Sequence, residues 1–248
     1  MRYLILLLIA IFAFGAPIHK AVKSGNLQEV KGVLNSSNIE LKDKRGNTPL
    51  CYAAYFGYED ILKYLVDSGA DTNAKCWSNN TPLHFASYTH HFFNLKYLLD
   101  HKANVNLKGW QNNTPLIFAA FISAQDSVKE LLKRGADINA QGYQGNSALH
   151  FAAFWGYVEI VKILLENGAN KDLLNDNYKT PLDLAKQMDR AEIIELLGGS
   201  LNSKKIDLKA SNRCKSEYQR CIKHCQSSSG RGCEFHCELK LKNCYKQK

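Results

Sequence analysis

The sequence predicts a solenoid of stacked repeat units, and three observations at one fixed interval predict it. The phrase Thr-Pro-Leu returns as Thr48-Pro49-Leu50, Thr81-Pro82-Leu83, Thr114-Pro115-Leu116 and Thr180-Pro181-Leu182, with Ser147-Ala148-Leu149 in the fourth of five places. Successive starts lie 33 residues apart. An alanine follows each leucine by three residues (Ala53, Ala86, Ala119, Ala152, Ala185), and a second leucine follows by 15 (Leu65, Leu98, Leu131, Leu164, Leu197). Such a period means supersecondary units that bury their apolar faces only by stacking on one another.

The beat, with TPLHFASYTH at 81–90 and NSALHFAAFWGYVEIVKILLENGAN at 146–170, resembles the ankyrin repeat family over residues 17–200. The resemblance implies an all-α solenoid of stacked helix pairs, with a β-turn followed by two antiparallel helices in each repeat. The residues suit that plan. Pro49 and its equivalents fit the first turn of a helix, where a missing N–H loses no partner. The preceding threonine can cap the helix. Gly57 and Gly156 fall between the two helices, and Gly69, Gly135 and Gly168 follow the second helix. His90, Ser123 and Asp189 replace the inter-helix glycine, and Lys102 replaces one C-terminal glycine, so the second and third repeats read as the looser ones.

In chain order, Arg2 precedes the apolar run Leu4–Phe14, and Ala13-Phe14-Gly15 offers small residues at −3 and −1. Residues 1–15 therefore read as a signal peptide cut after Gly15. The run is too short to span a bilayer comfortably, and no transmembrane segment is expected. Residues 16–42 keep the two-helix rhythm without a preceding turn, as an N-terminal capping repeat does. Repeats follow at 43–75, 76–108, 109–141 and 142–174, and 175–200 form a more charged C-terminal cap. Residues 201–211 read as a linker and 212–248 as a basic six-cysteine helical hairpin. The charge divides unevenly: 17–203 hold 19 Lys/Arg and 19 Asp/Glu, whereas 204–248 hold 12 against 4. The basic balance thus describes the tail.

The tail cysteines, Cys214, Cys221, Cys225, Cys233, Cys237 and Cys244, have gaps that read the same in both directions. Nested pairing gives Cys225–Cys233, Cys221–Cys237 and Cys214–Cys244, the register of two facing antiparallel helices joined by QSSSGRG. The twin Cys-x3-Cys spacing resembles plant α-hairpinins and scorpion kappa-toxins, from which the architecture alone is carried over. Mirrored Cys-x2-His-Cys clusters admit zinc, but an exported chain sits where thiols oxidise, and no metal site is expected. In the ankyrin motif the residue at Cys51 is usually His and points toward the turn where Cys76 begins. That resemblance leaves two readings for the pair: a Cys51–Cys76 disulfide or two buried thiols.

No catalytic constellation is present: no phosphate loop, no Gly-x-Ser-x-Gly elbow and no His-Glu-x-x-His. An enzyme is not expected, nor a cofactor. His84, His150 and His19 belong to the repeat motif, and the His90-His91 pair reads as polar surface. Binding is the richer reading. Family partners meet the turn tips and inner helices at positions that vary between repeats. The second position of the repeats reads Lys44, Trp77, Trp110, Tyr143 and Asp176, and the thirteenth reads Tyr55, Tyr88, Phe121, Phe154 and Gln187, with Trp155 beside it. Trp77 and Trp110 read as partner contacts, since surface tryptophans need cover and dominate interface hot spots. Tyr55, Tyr88, Phe121 and Phe154 admit two readings, partner contact or repeat-to-repeat packing. Asn35, Asn79 and Asn112 begin N-glycosylation sequons, the last two followed by Thr-Pro.

These features point to a secreted, monomeric, non-catalytic protein that grips a protein partner through a concave aromatic surface, in the extracellular space or another oxidising lumen or periplasm. The alternative is a toxin-like or inhibitory effector whose basic tail acts on a channel, protease or anionic surface. Export makes nucleic acid a poor partner.

Overall fold

The computed structural model describes residues 17–199. The signal segment, the 201–211 linker and the 212–248 hairpin with its three cysteine pairs lie outside the described residues. Six helix pairs follow one another: α1 (Pro17–Lys23) and α2 (Leu27–Val33), α3 (Pro49–Phe56) and α4 (Glu59–Asp67), α5 (Pro82–Tyr88) and α6 (Phe92–Asp100), α7 (Pro115–Phe121) and α8 (Gln125–Lys133), α9 (Ala148–Trp155) and α10 (Val158–Glu166), α11 (Pro181–Gln187) and α12 (Ala191–Leu196). No strand occurs among the described residues. The odd-numbered helices pack side by side as an inner layer and the even-numbered ones as an outer layer.

The repeat positions that define the period also form the core. Leu50, Leu83, Leu116 and Leu149 are at most 1% exposed, and Ala53, Ala86, Ala119, Ala152 and Ala185 are fully buried. The alanines let neighbouring inner helices approach closely, while the leucines fill the space behind them. Leu65, Leu98, Leu131 and Leu164 close the core from the outer layer. Burying each leucine stabilises the stack by about 2 kcal/mol, and no helix here is long enough to persist alone.

Each inner helix after the first starts on the Thr/Ser-Pro/Ala beat. Thr48 and Thr114 accept from the amides of Cys51 and Ile117, both at 3.4 Å. Thr81, Ser147 and Thr180 form capping boxes with His84, His150 and Asp183. Between the helices the chain must pass through left-handed backbone. Gly57 takes it at φ 78° and Gly156 at φ 84°. A side chain at either place would meet the next repeat, the His91 ring at Gly57 and the Arg190 guanidinium at Gly156. His90, Ser123 and Asp189 adopt the same conformation without glycine's freedom (φ 59°, 61° and 51°), as does Lys102 at its helix end (φ 66°). The repeat geometry is kept at all four, with the cost held in the local backbone.

Candidate functional site

Adjacent repeats are joined by side chains that reach one repeat forward. His84 Nε2 donates to the carbonyl of Asn113 (3.1 Å), while its Nδ1 accepts from the Thr81 amide (3.1 Å) and faces the Thr81 hydroxyl (2.8 Å). His150 does the same with Ser147 and the carbonyl of Lys179, and His19 reaches the carbonyl of Asn47. Burial lowers the pKa of all three, that of His84 to about 4. Neutral imidazoles are what this geometry needs, because a proton on Nδ1 would face the Thr81 or Ser147 amide. At the equivalent place in α3 stands Cys51, and the structure joins it to Cys76 as a disulfide with Cα atoms 6.6 Å apart. At the place in α7 stands Ile117, buried against the core.

The turns ahead of the inner helices come in two forms. The three central tips contain consecutive left-handed residues: Ser78 and Asn79, Gln111 and Asn112, Gln144 and Gly145. Each is closed by an amide-to-carbonyl bond from Asn80 to Trp77, Asn113 to Trp110 and Asn146 to Tyr143. That is the type I′ tip, which favours asparagine and glycine. The first and last turns have a single left-handed residue at this place, Gly46 or Tyr178. There a side-chain oxygen braces the loop from within: Asp43 accepts from the amides of Arg45 and Asn47, and Asn175 from those of Asn177 and Lys179.

In the central tips the position of Asp43 is taken by Cys76, Gly109 and Gly142, so the brace comes from the previous repeat. The Oδ1 atoms of Asn47, Asn80 and Asn113 accept from the amides of Trp77, Trp110 and Tyr143, each at 3.0 Å. Asn80 and Asn113 sit so close that a Cβ at Gly109 or Gly142 would lie 2.3 or 2.1 Å from their Oδ1 atoms. The three large aromatics are thus held in register by one another's repeats. They are exposed, Trp77 at 52%, Trp110 at 44% and Tyr143 at 41%. No ring contact covers them among the described residues.

The inner-helix aromatics show repeat-to-repeat packing at Tyr55, Tyr88 and Phe121. Tyr55 packs edge-on against Phe85, Tyr88 against Phe118, and Phe121 against Phe151 and Trp155. The contacts with Phe85, Phe118 and Phe151 tie position 13 of one repeat to position 10 of the next, and that with Trp155 reaches position 14. Tyr55 and Tyr88 nevertheless stay exposed, whereas Phe121, Phe154 and Trp155 are half-buried. Sequence reasoning missed Tyr178, 82% exposed on the last turn, because it stands two places from the aromatic position of the other tips.

Of the sequon asparagines, Asn35, Asn79 and Asn112 are all exposed. The hydroxyls their motif requires at 81 and 114 belong to buried residues that start α5 and α7. His91 lies over Gly57, and its pKa is lowered by burial. Among the described residues no group of three or more His, Cys, Asp or Glu side chains converges, and no helix is long and apolar enough to cross a membrane.

Comparison with known proteins adds the family. A family model of ankyrin repeats in three copies matches residues 6–76 and 75–142, and one in many copies matches 131–185. Protein phosphatase 1 regulatory subunit 27 of Homo sapiens is 45% identical over 60 residues, 24% of this chain and 39% of that protein. Alpha-latrotoxin-Lh1a of Latrodectus hasselti is 34% identical over 65 residues, 26% of this chain and 5% of the toxin. Ankyrin repeat domain-containing protein 13C-B of Xenopus laevis is 34% identical over 65 residues, covering 13% of its length. The chain spans well under half the length of each of these curated relatives.

Proposed function

Since this chain belongs to the ankyrin repeat family, we propose that it is an exported, non-catalytic adaptor whose turn row and inner-helix aromatics grip a protein partner. Ankyrin repeats are a protein-interaction scaffold, and a regulatory subunit stands among the relatives. The observation that carries the finer reading is the row Trp77, Trp110 and Tyr143. These are large, exposed aromatics whose backbones are braced in advance by Asn47, Asn80 and Asn113. Pre-bracing lowers the ordering cost of binding, and such side chains dominate interface energetics. Tyr55 and Tyr88 extend the surface onto the inner helices. Export is supported by the apolar segment after Arg2, and the Cys51–Cys76 disulfide and the hairpin pairs belong to the same oxidising setting. The basic hairpin is proposed to make a second contact.

The test is site-directed photo-crosslinking in the extracellular fluid of the producing cells. A crosslinking residue replaces Trp77 or Trp110, with Lys129 on the outer layer as control. The expected result is a discrete partner captured from 77 and 110 but not from 129, retained after deletion of 204–248. Equal capture from all three sites, or capture lost with the deletion, overturns the reading. Intact mass of the secreted chain should lack residues 1–15.

A further inference from the structure

The repeat stack is neutral in total, but its first three turns carry a net positive charge. Lys42, Lys44, Arg45, Lys75 and Lys108 are all exposed. Across 42–47, 75–80 and 108–113 these five cations stand against one acid, Asp43. Asp43 is already occupied: it accepts from the Tyr52 hydroxyl and two backbone amides and lies 3.6 Å from the Lys23 ammonium. Of the nearby acids, Glu40 accepts from the amide of Asp71 and feels the charge of Lys42 beyond ion-pair distance, and Asp71 accepts from the amide of Asn73. Among the described residues none of the five cations has a carboxylate within ion-pair reach. Lys75 and Trp77 flank the buried Cys76, and Lys108 and Trp110 flank the buried Gly109, so each tip presents a cation and an aromatic together. In the fourth and fifth repeats the lysine position is Gln141 and Leu174, and the charge ends.

We infer that the first three turns receive an extended acidic segment of the protein partner, its carboxylates against these lysines and an apolar side chain seated at Trp77 and Trp110. The inference rests on the protein-binding reading above and names the chemistry of that partner. Unpaired cations beside uncovered indoles are complementary to a segment that brings both charge and apolar surface. The chain's own tail is the wrong sign to fill this surface, with 12 Lys/Arg against 4 Asp/Glu in 204–248. The contacts are strung over three consecutive tips, which suits an extended segment better than a compact patch.

The experiment selects binders from a random peptide display library on the disulfide-intact full chain. The winners are then titrated against the wild type, Lys75→Glu/Lys108→Glu and Trp77→Ala/Trp110→Ala, with circular dichroism confirming that each folds. The expected winners are rich in Asp and Glu around an aliphatic or aromatic residue. Their affinity should fall about tenfold or more in each double variant and weaken as salt rises. Neutral or basic winners that still lose affinity in Trp77→Ala/Trp110→Ala overturn the acidic partner and leave the turn row standing as a binding surface. Winners indifferent to the tryptophans, or no winners, overturn both. A heparin-derived oligosaccharide that binds through the same lysines when no peptide does assigns the surface to polysaccharide and overturns the inference.

Discussion

His84 shows how a single side chain couples two repeats and sets a pH response. Burial holds its pKa down to about 4 against an ordinary 6.5. The unfolded imidazole takes a proton below about 6.5, and the folded one resists it until about 4. The histidine's contribution is therefore complete above the unfolded value and lost as pH falls toward the folded one, up to about 3 kcal/mol. Urea unfolding at about pH 7.5 and about pH 4.5 should show this loss, and His84→Gln should show a shallower one, with His19 and His150 supplying the remainder. Tyr178 is a second case. It stands at φ 55° where other turns use Gly46, Asn79, Asn112 and Gly145, and 82% of it is exposed. Tyr178→Gly should raise the unfolding free energy by about 1 kcal/mol, because a bulky residue pays for left-handed backbone with no burial in return. An unchanged denaturation midpoint would remove the strain argument.

At the scale of the element, the fourth repeat departs from the beat at Ala148, the first residue of α9. Ser147 before it is extended (φ −89°, ψ 173°), the conformation a following proline requires. Ala148→Pro should therefore stabilise the chain by roughly 0.5–1 kcal/mol, read as a higher thermal midpoint. The helices and their caps were legible in the sequence because the proline, alanine and leucine positions each answer one physical demand at a constant interval. The tips were only half legible. Numbering the repeats placed Trp77, Trp110 and Tyr143 on the turns. What braces them was hidden, because it comes from asparagines some 30 residues earlier that look like ordinary loop polarity. The glycines at 109 and 142 were the available signal, since each makes room for such an oxygen.

Over the whole molecule, the sum of charges concealed the most informative distribution. A neutral stack of 19 against 19 contains a cationic edge in its first three turns, visible only once each acid's partner is known. The inner-layer aromatics show the converse. Tyr55 and Tyr88 pack edge-on against the next repeat and still remain 44% and 45% exposed, so packing does not exclude partner contact at these positions.

The Cys51–Cys76 bridge stands where the second and fourth repeats have a hydrogen-bonded histidine, and its separation of 25 residues shelters a fixed length of chain. Under mechanical tension, repeats that leave the stack one at a time would each release about 110 Å of contour, from 33 residues at roughly 3.3–3.6 Å apiece. The covalently closed loop releases almost none of its own, so total extension in an optical trap should fall short by about 80–90 Å and recover that length when a reductant is added.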